Sequence, residues 1–228
     1  MIMRKNIRSI LSVAFWLIVF SAAQVFAVEK DDPIRWESEI QKFETVDKTN
    51  PPPKKAILFI GSSSIRIWKT LATDFPEHKV INRGFGGSFM NDSVYFFDRI
   101  VAPYKPKMIV VYAGGNDINF GKTPEDVFGA FTNFVAKAHK ALPKTRVAYI
   151  SIAPNPARWS QVEQVKAANK LIENFTKKDS KLSFINVFPA MLGEDGKPKP
   201  EIFLSDNLHM NAKGYGIWTP IVRAHLKK

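Results

Sequence analysis

The chain has 228 residues, 45% of them hydrophobic and 12% aromatic, with a formal net charge of +12 and no cysteine. This length buries one sizeable core but is short for two ordinary domains, and the lack of cysteine excludes a disulfide framework and thiolate metal sites. The lysines are spread over "PPPKK", "YKPK", "TKKDSK", "GKPKP" and "HLKK" with no interleaved aromatics, which argues against a nucleic-acid partner and for a solvated basic face.

Residues 1–27 have the pattern of an export signal. Arg4, Lys5 and Arg8 form a basic start, "ILSVAFWLIVF" an apolar middle, and "SAAQVFA" a small-residue end with Val25 and Ala27 placed for cleavage. The apolar stretch approaches the ~20 residues that span a bilayer. Ser21, Gln24 and the V-x-A ending favour cleavage instead, which predicts a periplasmic or secreted chain starting at Val28, with net charge +9 and no stable membrane insertion. Residues 28–53 then read as a short helix and a proline-rich lead-in. Asp32 precedes Pro33 as a cap, Trp36, Ile40 and Phe43 recur at helical spacing, and "NPPPKK" ends the pattern.

From residue 54 to residue 228 apolar runs alternate with helical patterns. Strands are predicted over 56–60, 79–82, 108–112, 147–152 and 182–187, four of them almost continuously apolar, as befits strands buried on both faces of a parallel sheet. Helices are predicted over 92–101, 124–142 (opened by Thr123 with Asp126 at its third position), 157–177 and about 211–227. Strict alternation makes this one α/β domain with an open parallel sheet.

Ligands of such a sheet sit beyond the carboxyl ends of its strands, and the unusual residues collect there. The successive strands lead into "GSSS", "NRGFGGS", "AGGND", "APNPARW" and, last, "LSDNLHMNAKGY". Taken singly, each is ordinary turn or capping chemistry; together they supply the parts for acyl transfer. Ser63 offers a hydroxyl, with Ser64 a weaker candidate. Among four histidines, His78, His139 and His225 lie away from the strand ends, whereas His209 follows Asp206 at a spacing of three. An Asp-x-x-His turn lets the carboxylate orient one ring nitrogen while the other faces the serine. The Ser63 and Gly87 N–H groups and the Asn116 amide are candidate donors to an oxyanion.

Four of these blocks in this order, "IGSSS", "NRGFGGS", "GGND" and "SDNLH", resemble the SGNH/GDSL hydrolase superfamily, and the likeness runs from about Ala56 to the C-terminus. It implies a three-layer α/β/α sandwich around a five-stranded parallel sheet of flavodoxin-like type. It also implies a triad of Ser63, His209 and Asp206, and an oxyanion hole of Ser63, Gly87 and Asn116. Ser62 stands where the family usually has aspartate, but the family's catalytic acid is the one before the histidine. No Gly-x-Ser-x-Gly elbow is present, which disfavours the α/β-hydrolase fold.

Arg66, Arg83, Phe85, Phe89, Asn155, Arg158 and Trp159 adjoin these blocks. Of these, Phe89 and Trp159 are candidates for an apolar or sugar-stacking wall, and Arg66 and Arg158 for contacts with substrate. The alternatives are structural: Arg66 paired with Asp92, and Trp159 packed on its own sheet. No long apolar insertion suggests a lipase lid, so the expected reaction is hydrolysis of short acyl esters of a carbohydrate or other small alcohol, with no metal or cofactor. Lysophospholipase or thioesterase activity, or a silent envelope- or carbohydrate-binding module on the same fold, are the competing expectations.

Overall fold

The computed structural model describes residues 31–226; the export signal expected over 1–27 lies outside them. Residues 31–35 hold a turn in which the Ile34 N–H donates to the Asp32 carboxylate. The unit that follows begins at Trp36.

Its elements are α1 (Glu37–Thr49), β1 (Ile57–Gly61), α2 (Ser63–Arg66), α3 (Leu71–Asp74), β2 (Val80–Gly84), α4 (Met90–Tyr95), α5 (Phe97–Ile100), β3 (Met108–Tyr112), α6 (Gly115–Asn119), α7 (Pro124–Ala141), β4 (Arg146–Ile150), α8 (Val162–Thr176), β5 (Leu182–Ile185) and α9 (Ala212–Leu226). The five strands pair in parallel in the order β2-β1-β3-β4-β5. This is the flavodoxin-like doubly wound order, in which the chain reverses direction across the sheet between β1 and β3.

Side chains alternate across the sheet as the pleat requires. Leu58, Ile60, Ile109, Val111, Val147 and Tyr149 face one layer, containing α1, α4, α5, α7 and α8. Ile57, Phe59, Met108, Val110, Ala148 and Ile150 face the other, containing α3 and α9. The fold is thus the expected three-layer α/β/α sandwich. Thr123 and Asp126 form the reciprocal capping box at the start of α7, which satisfies two otherwise orphaned N–H groups.

Two predicted helices are each interrupted. The 92–101 segment divides at Phe96 into α4 and α5. Phe96 and Phe97 are both fully buried, and one continuous helix would rotate successive residues by about 100° and turn one of them outward. The 157–177 segment begins as a 3-10 turn, Pro156–Gln161, because Arg158 leaves helical geometry (φ −127°, ψ 26°) while the Asn155 side chain accepts its N–H. Sequence periodicity also passed over the short helices α2, α3 and α6, which have too few turns to leave a period.

Helix α1 is fastened to the rest of this unit by more than the buried Ile40. Arg99 on α5 bridges Glu37 and Glu44 with four hydrogen bonds of 2.6–2.9 Å, and Arg83 at the end of β2 pairs with Asp47. These bonds fix the start of α1, and with it Trp36, beside the strand ends.

The core makes a direct stability prediction. Phe131 is fully buried and meets Tyr149 edge-on at 4.8 Å; Phe131→Ala is expected to cost about 3–5 kcal/mol, read as a lower urea midpoint at unchanged m-value.

Candidate active site

The serine turn is built by close backbone approach. β1 ends at Gly61, whose φ of +134° is rare for an L side chain and whose Cβ would lie 1.9 Å from the Tyr112 carbonyl oxygen. That carbonyl accepts the Ser62 N–H at 2.9 Å, which steers the chain out of the sheet. Ser62 is the N-cap of α2 and Ser63 its first residue. A one-turn helix has no stability of its own, and tertiary contacts hold it: the Asn82 amide donates to the Ile65 carbonyl at 2.6 Å, and the Tyr215 hydroxyl to the Ser64 carbonyl at 2.8 Å.

The histidine comes from the loop before α9. Leu204 and His209 close a short turn through a 2.7 Å backbone bond. Asn211 pins this turn by donating to the Glu201 and Phe203 carbonyls while its side-chain oxygen caps α9. Within the turn, one Asp206 oxygen accepts the Leu208 and His209 N–H groups at 3.0 and 2.9 Å, and the other lies 2.6 Å from His209 Nδ1. His209 Nε2 lies 2.8 Å from Ser63 Oγ. The structure therefore brings Ser63, His209 and Asp206 into one hydrogen-bonded chain across 146 residues of sequence. The bond to the His209 ring, followed by the backbone donors, pulls the Asp206 carboxyl down to about 2, so it stays ionised throughout the working range.

Asn116 on α6 opens onto the same cleft as Ser63, Gly87 and His209. Its amide orientation is fixed from both ends: Nδ2 donates to the Ser88 carbonyl at 3.1 Å, and Oδ1 accepts from Arg158 Nη1 at 3.0 Å. One amide hydrogen remains for a ligand. Gly87 has φ +77° and would press a Cβ against the Trp36 ring at 3.3 Å, which is why this loop is glycine.

Two buried carboxylates fasten the glycine loop from behind. Asp92 accepts the Phe89 N–H at 2.7 Å and the Trp36 indole N–H at 3.1 Å. Asp117 accepts the Met90 N–H with both oxygens at 3.1 Å. Burial, opposed by the Met90 bond and nearby Lys122, pushes the Asp117 carboxyl up to about 6.

The expected substrate-binding residues divide. Arg66 is exposed and lies in the open cleft over Gly86; it does not form the expected pair with Asp92, whose second oxygen serves Trp36 and Phe89. Arg158 is half-buried and lines the cleft, but it bonds the Gly115 carbonyl and Asn116, so it orients the amide. Phe89 is corrected: it is 4% exposed, beneath Phe120 at 5.3 Å and Lys122, and forms no wall of the cleft. Trp159 is also corrected. It lines a separate small pocket with Val162 and Val165 and packs on the sheet-facing core, which is the structural alternative. Ser64 sits beside the buried Tyr112 phenol, not in hydrogen-bond contact with His209. Sequence reasoning passed over Trp36 and Glu39 as cleft residues and Asp117 as an anchor. Only the helical spacing of Trp36 signalled it.

Ser63 and His209 stand between two spaces. On one side is a tight recess with a cavity of about 30 Å³, floored by Ile152, Ala153, Pro154, Phe203 and Met210. On the other is an open cleft of about 390 Å³ walled by Trp36, Glu39, Arg66 and Gly87.

A doubly wound α/β sheet carrying a Ser–His–Asp hydrogen-bond chain at its switch point has the layout of a serine-dependent hydrolase. The GDSL-like Lipase/Acylhydrolase family model matches residues 61–217, and the chain belongs to that family. No curated protein matches it. Among solved structures it is similar to a GDSL-like lipase from Bacteroides thetaiotaomicron VPI-5482 (TM-score 0.73, 22% identity, covering 83% of this chain and 98% of that one). It is similar also to a carbohydrate esterase family 3 protein from Talaromyces cellulolyticus (TM-score 0.60, 15% identity, 75% and 95%) and to a variant of an acetyl-xylooligosaccharide esterase from Geobacillus Stearmophilus (TM-score 0.62, 12% identity, 77% and 95%).

Asp117 gives a pH-dependent stability. Its folded value of about 6 lies above the ordinary 3.8, so the native state holds the proton more tightly. Its contribution is full below about pH 4 and is lost as pH rises through 6. Asp117→Asn keeps an acceptor for Met90 and cannot ionise, so its stability relative to the parent should rise by up to about 3 kcal/mol between pH 4 and 7. Urea melts at a series of pH values check this; a pH-independent difference is the contrary result.

Proposed function

We propose that this chain is an exported carboxylic-ester hydrolase that removes short acyl groups through a Ser63 acyl-enzyme. The mature chain would start at Val28, with residues 28–53 leading into a hydrolase domain at 54–228. Family membership supports ester chemistry, and the basic, apolar and V-x-A succession of residues 1–27 supports export. The observation that carries the catalytic assignment is the 2.8 Å and 2.6 Å chain from Ser63 Oγ through His209 to Asp206.

In this reading His209 Nε2 accepts the Ser63 proton as Oγ attacks the ester carbonyl carbon. The oxyanion is met by the Ser63 and Gly87 N–H groups and the free Asn116 amide hydrogen. As the C–O bond to the alcohol breaks, the imidazolium returns its proton to the leaving oxygen. Water then repeats the sequence, releasing the acid and restoring Ser63. Asp206 stays ionised and holds the ring with Nδ1 as donor. The acyl chain is assigned to the tight recess beside Ser63, whose size suits acetyl.

Hydrolysis of p-nitrophenyl acetate, butyrate and octanoate tests this assignment. Rates should fall with chain length, and Ser63→Ala should abolish both turnover and fluorophosphonate labelling; retained turnover in that variant refutes the nucleophile. Asn116→Ala is expected to lower kcat by on the order of 10²-fold, whereas a change confined to KM would make Asn116 a binding group.

A further inference from the structure

The open cleft has a wall that the ester-hydrolysis reading leaves unused. The start of α1 supplies it with Trp36, the N-cap of that helix, and Glu39, and Arg66 stands in the same cleft. The position of Trp36 is determined: its indole N–H is bonded to buried Asp92, its ring meets Phe85 edge-on at 6.0 Å, and its six-membered ring abuts Gly87. Glu39 is half-buried, with one carboxylate oxygen accepting from Lys42 at 2.6 Å and the other left for a ligand, and Arg66 is exposed and not bonded to it. Arg158 completes the wall but is engaged with Gly115 and Asn116.

With the acyl group in the recess, the alcohol half of the ester must lie in this cleft, since Ser63 and His209 are the boundary between the two spaces. The chemistry of the cleft selects among alcohols. Its volume is an order of magnitude larger than that of the recess, far more than a methyl or ethyl ester fills. Among the described residues of its lining, Leu208 is the only aliphatic side chain, and polar and apolar surface are present in about equal shares, which suits an alcohol that carries both better than a fatty or sterol one. A carboxylate acceptor, a guanidinium donor and an aromatic ring on one wall match a pyranose or furanose ring, which has hydroxyls at its rim and C–H groups on its faces.

We propose that Trp36, Glu39 and Arg66 form an alcohol-side subsite that selects esters of a sugar ring, an inference that rests on the Ser63 hydrolase reading above. Glu39 accepts and Arg66 donates hydrogen bonds to ring hydroxyls, and Trp36 supplies the surface the ring lies against. Two of the three residues, Trp36 and Glu39, thus lie at the start of α1, outside the residues the family model covers, while Arg66 on α2 lies within them.

The test compares kcat/KM for 6-O-acetylglucose and for cyclohexyl acetate, a six-membered ring without hydroxyls. Both esters form the same acetyl-enzyme, so any difference between them arises before the alcohol leaves. The unsubstituted chain should prefer the sugar ester, and the preference should fall about tenfold in Glu39→Gln and in Arg66→Met, the loss expected for one charged hydrogen bond to substrate. Both positions are solvent-accessible, so these variants fold; Trp36→Phe, which keeps a ring but loses the donor to Asp92, is the supplementary variant and should lower the preference in the same direction. Equal rates on the two esters, or a preference unchanged in both charge variants, overturns the subsite while leaving serine-dependent hydrolysis standing. Hydrolysis of cyclohexyl acetate that survives Ser63→Ala instead overturns the catalytic reading, and the subsite with it.

Discussion

Gly61 of β1 lies opposite Tyr112 of β3, at the seam where the strand order of the sheet reverses. The two backbones come so close there that only glycine fits, and the Tyr112 carbonyl takes the first N–H beyond the strand. Because connections diverge to opposite layers at such a seam, the loops after β1 and β3 leave a crevice between them. Ser63 stands at one lip and Asn116 at the other. His209 is carried in by a separate loop, yet its reach is set by the same seam, since Tyr215 on α9 bonds the Ser64 carbonyl of the serine turn. The position of the hydroxyl thus depends on sheet pairing and on α9, and only weakly on the propensity of the four residues of α2.

The glycine loop after β2 obeys a different constraint. Its backbone donors need acceptors in a dry environment, and Asp92 and Asp117 supply them. An ionised carboxylate in that setting is costly, which the upward displacement of Asp117 records. In the proposed reaction the compensation is positional, because the Gly87 N–H could serve an oxyanion only if the loop is held still. Trp36 completes the arrangement by bonding Asp92 and capping Gly87, so the helix that walls the cleft also bears on the loop beneath it.

Much of this was legible in the sequence for physical reasons. Strands buried on both faces must be apolar, which made β1, β3 and β4 visible; the half-buried edge strands β2 and β5 showed as apolar runs between helical patterns, and the strand-end rule turned the order of all five into a list of crevice residues. The pairing of Asp206 with His209 was visible because it is local, three residues apart in one turn. Side-chain direction was not visible. Phe89 adjoins the glycine loop in sequence, but as the N-cap of α4 it turns into the protein, and Trp159 follows Arg158 at a non-helical step that sends the two in different directions. Trp36 lies 27 residues before Ser63 and reaches the cleft through the docking of α1, which is decided by Arg99, Glu37 and Glu44 in tertiary contact. No local pattern encodes such a meeting.

The three aspartates Asp92, Asp117 and Asp206 around the site sort by exposure. Asp92 and Asp117 are each 1% exposed and hold backbone; neither touches Ser63 or His209 in the hydrogen-bond network. Asp206 keeps 46% of its side chain exposed and His209 26%, so solvent screens their attraction and the pair contributes little to folding. Its geometry is nonetheless held by two backbone N–H bonds to one oxygen, which leaves the other aimed at Nδ1. A pair with so little to offer the fold, yet fixed this closely and terminated by a serine hydroxyl, is accounted for by the proposed proton transfers rather than by stability. The same contrast explains why the buried acids were hard to recognise: they act on the backbone, and their partners are loop residues that any sequence could supply.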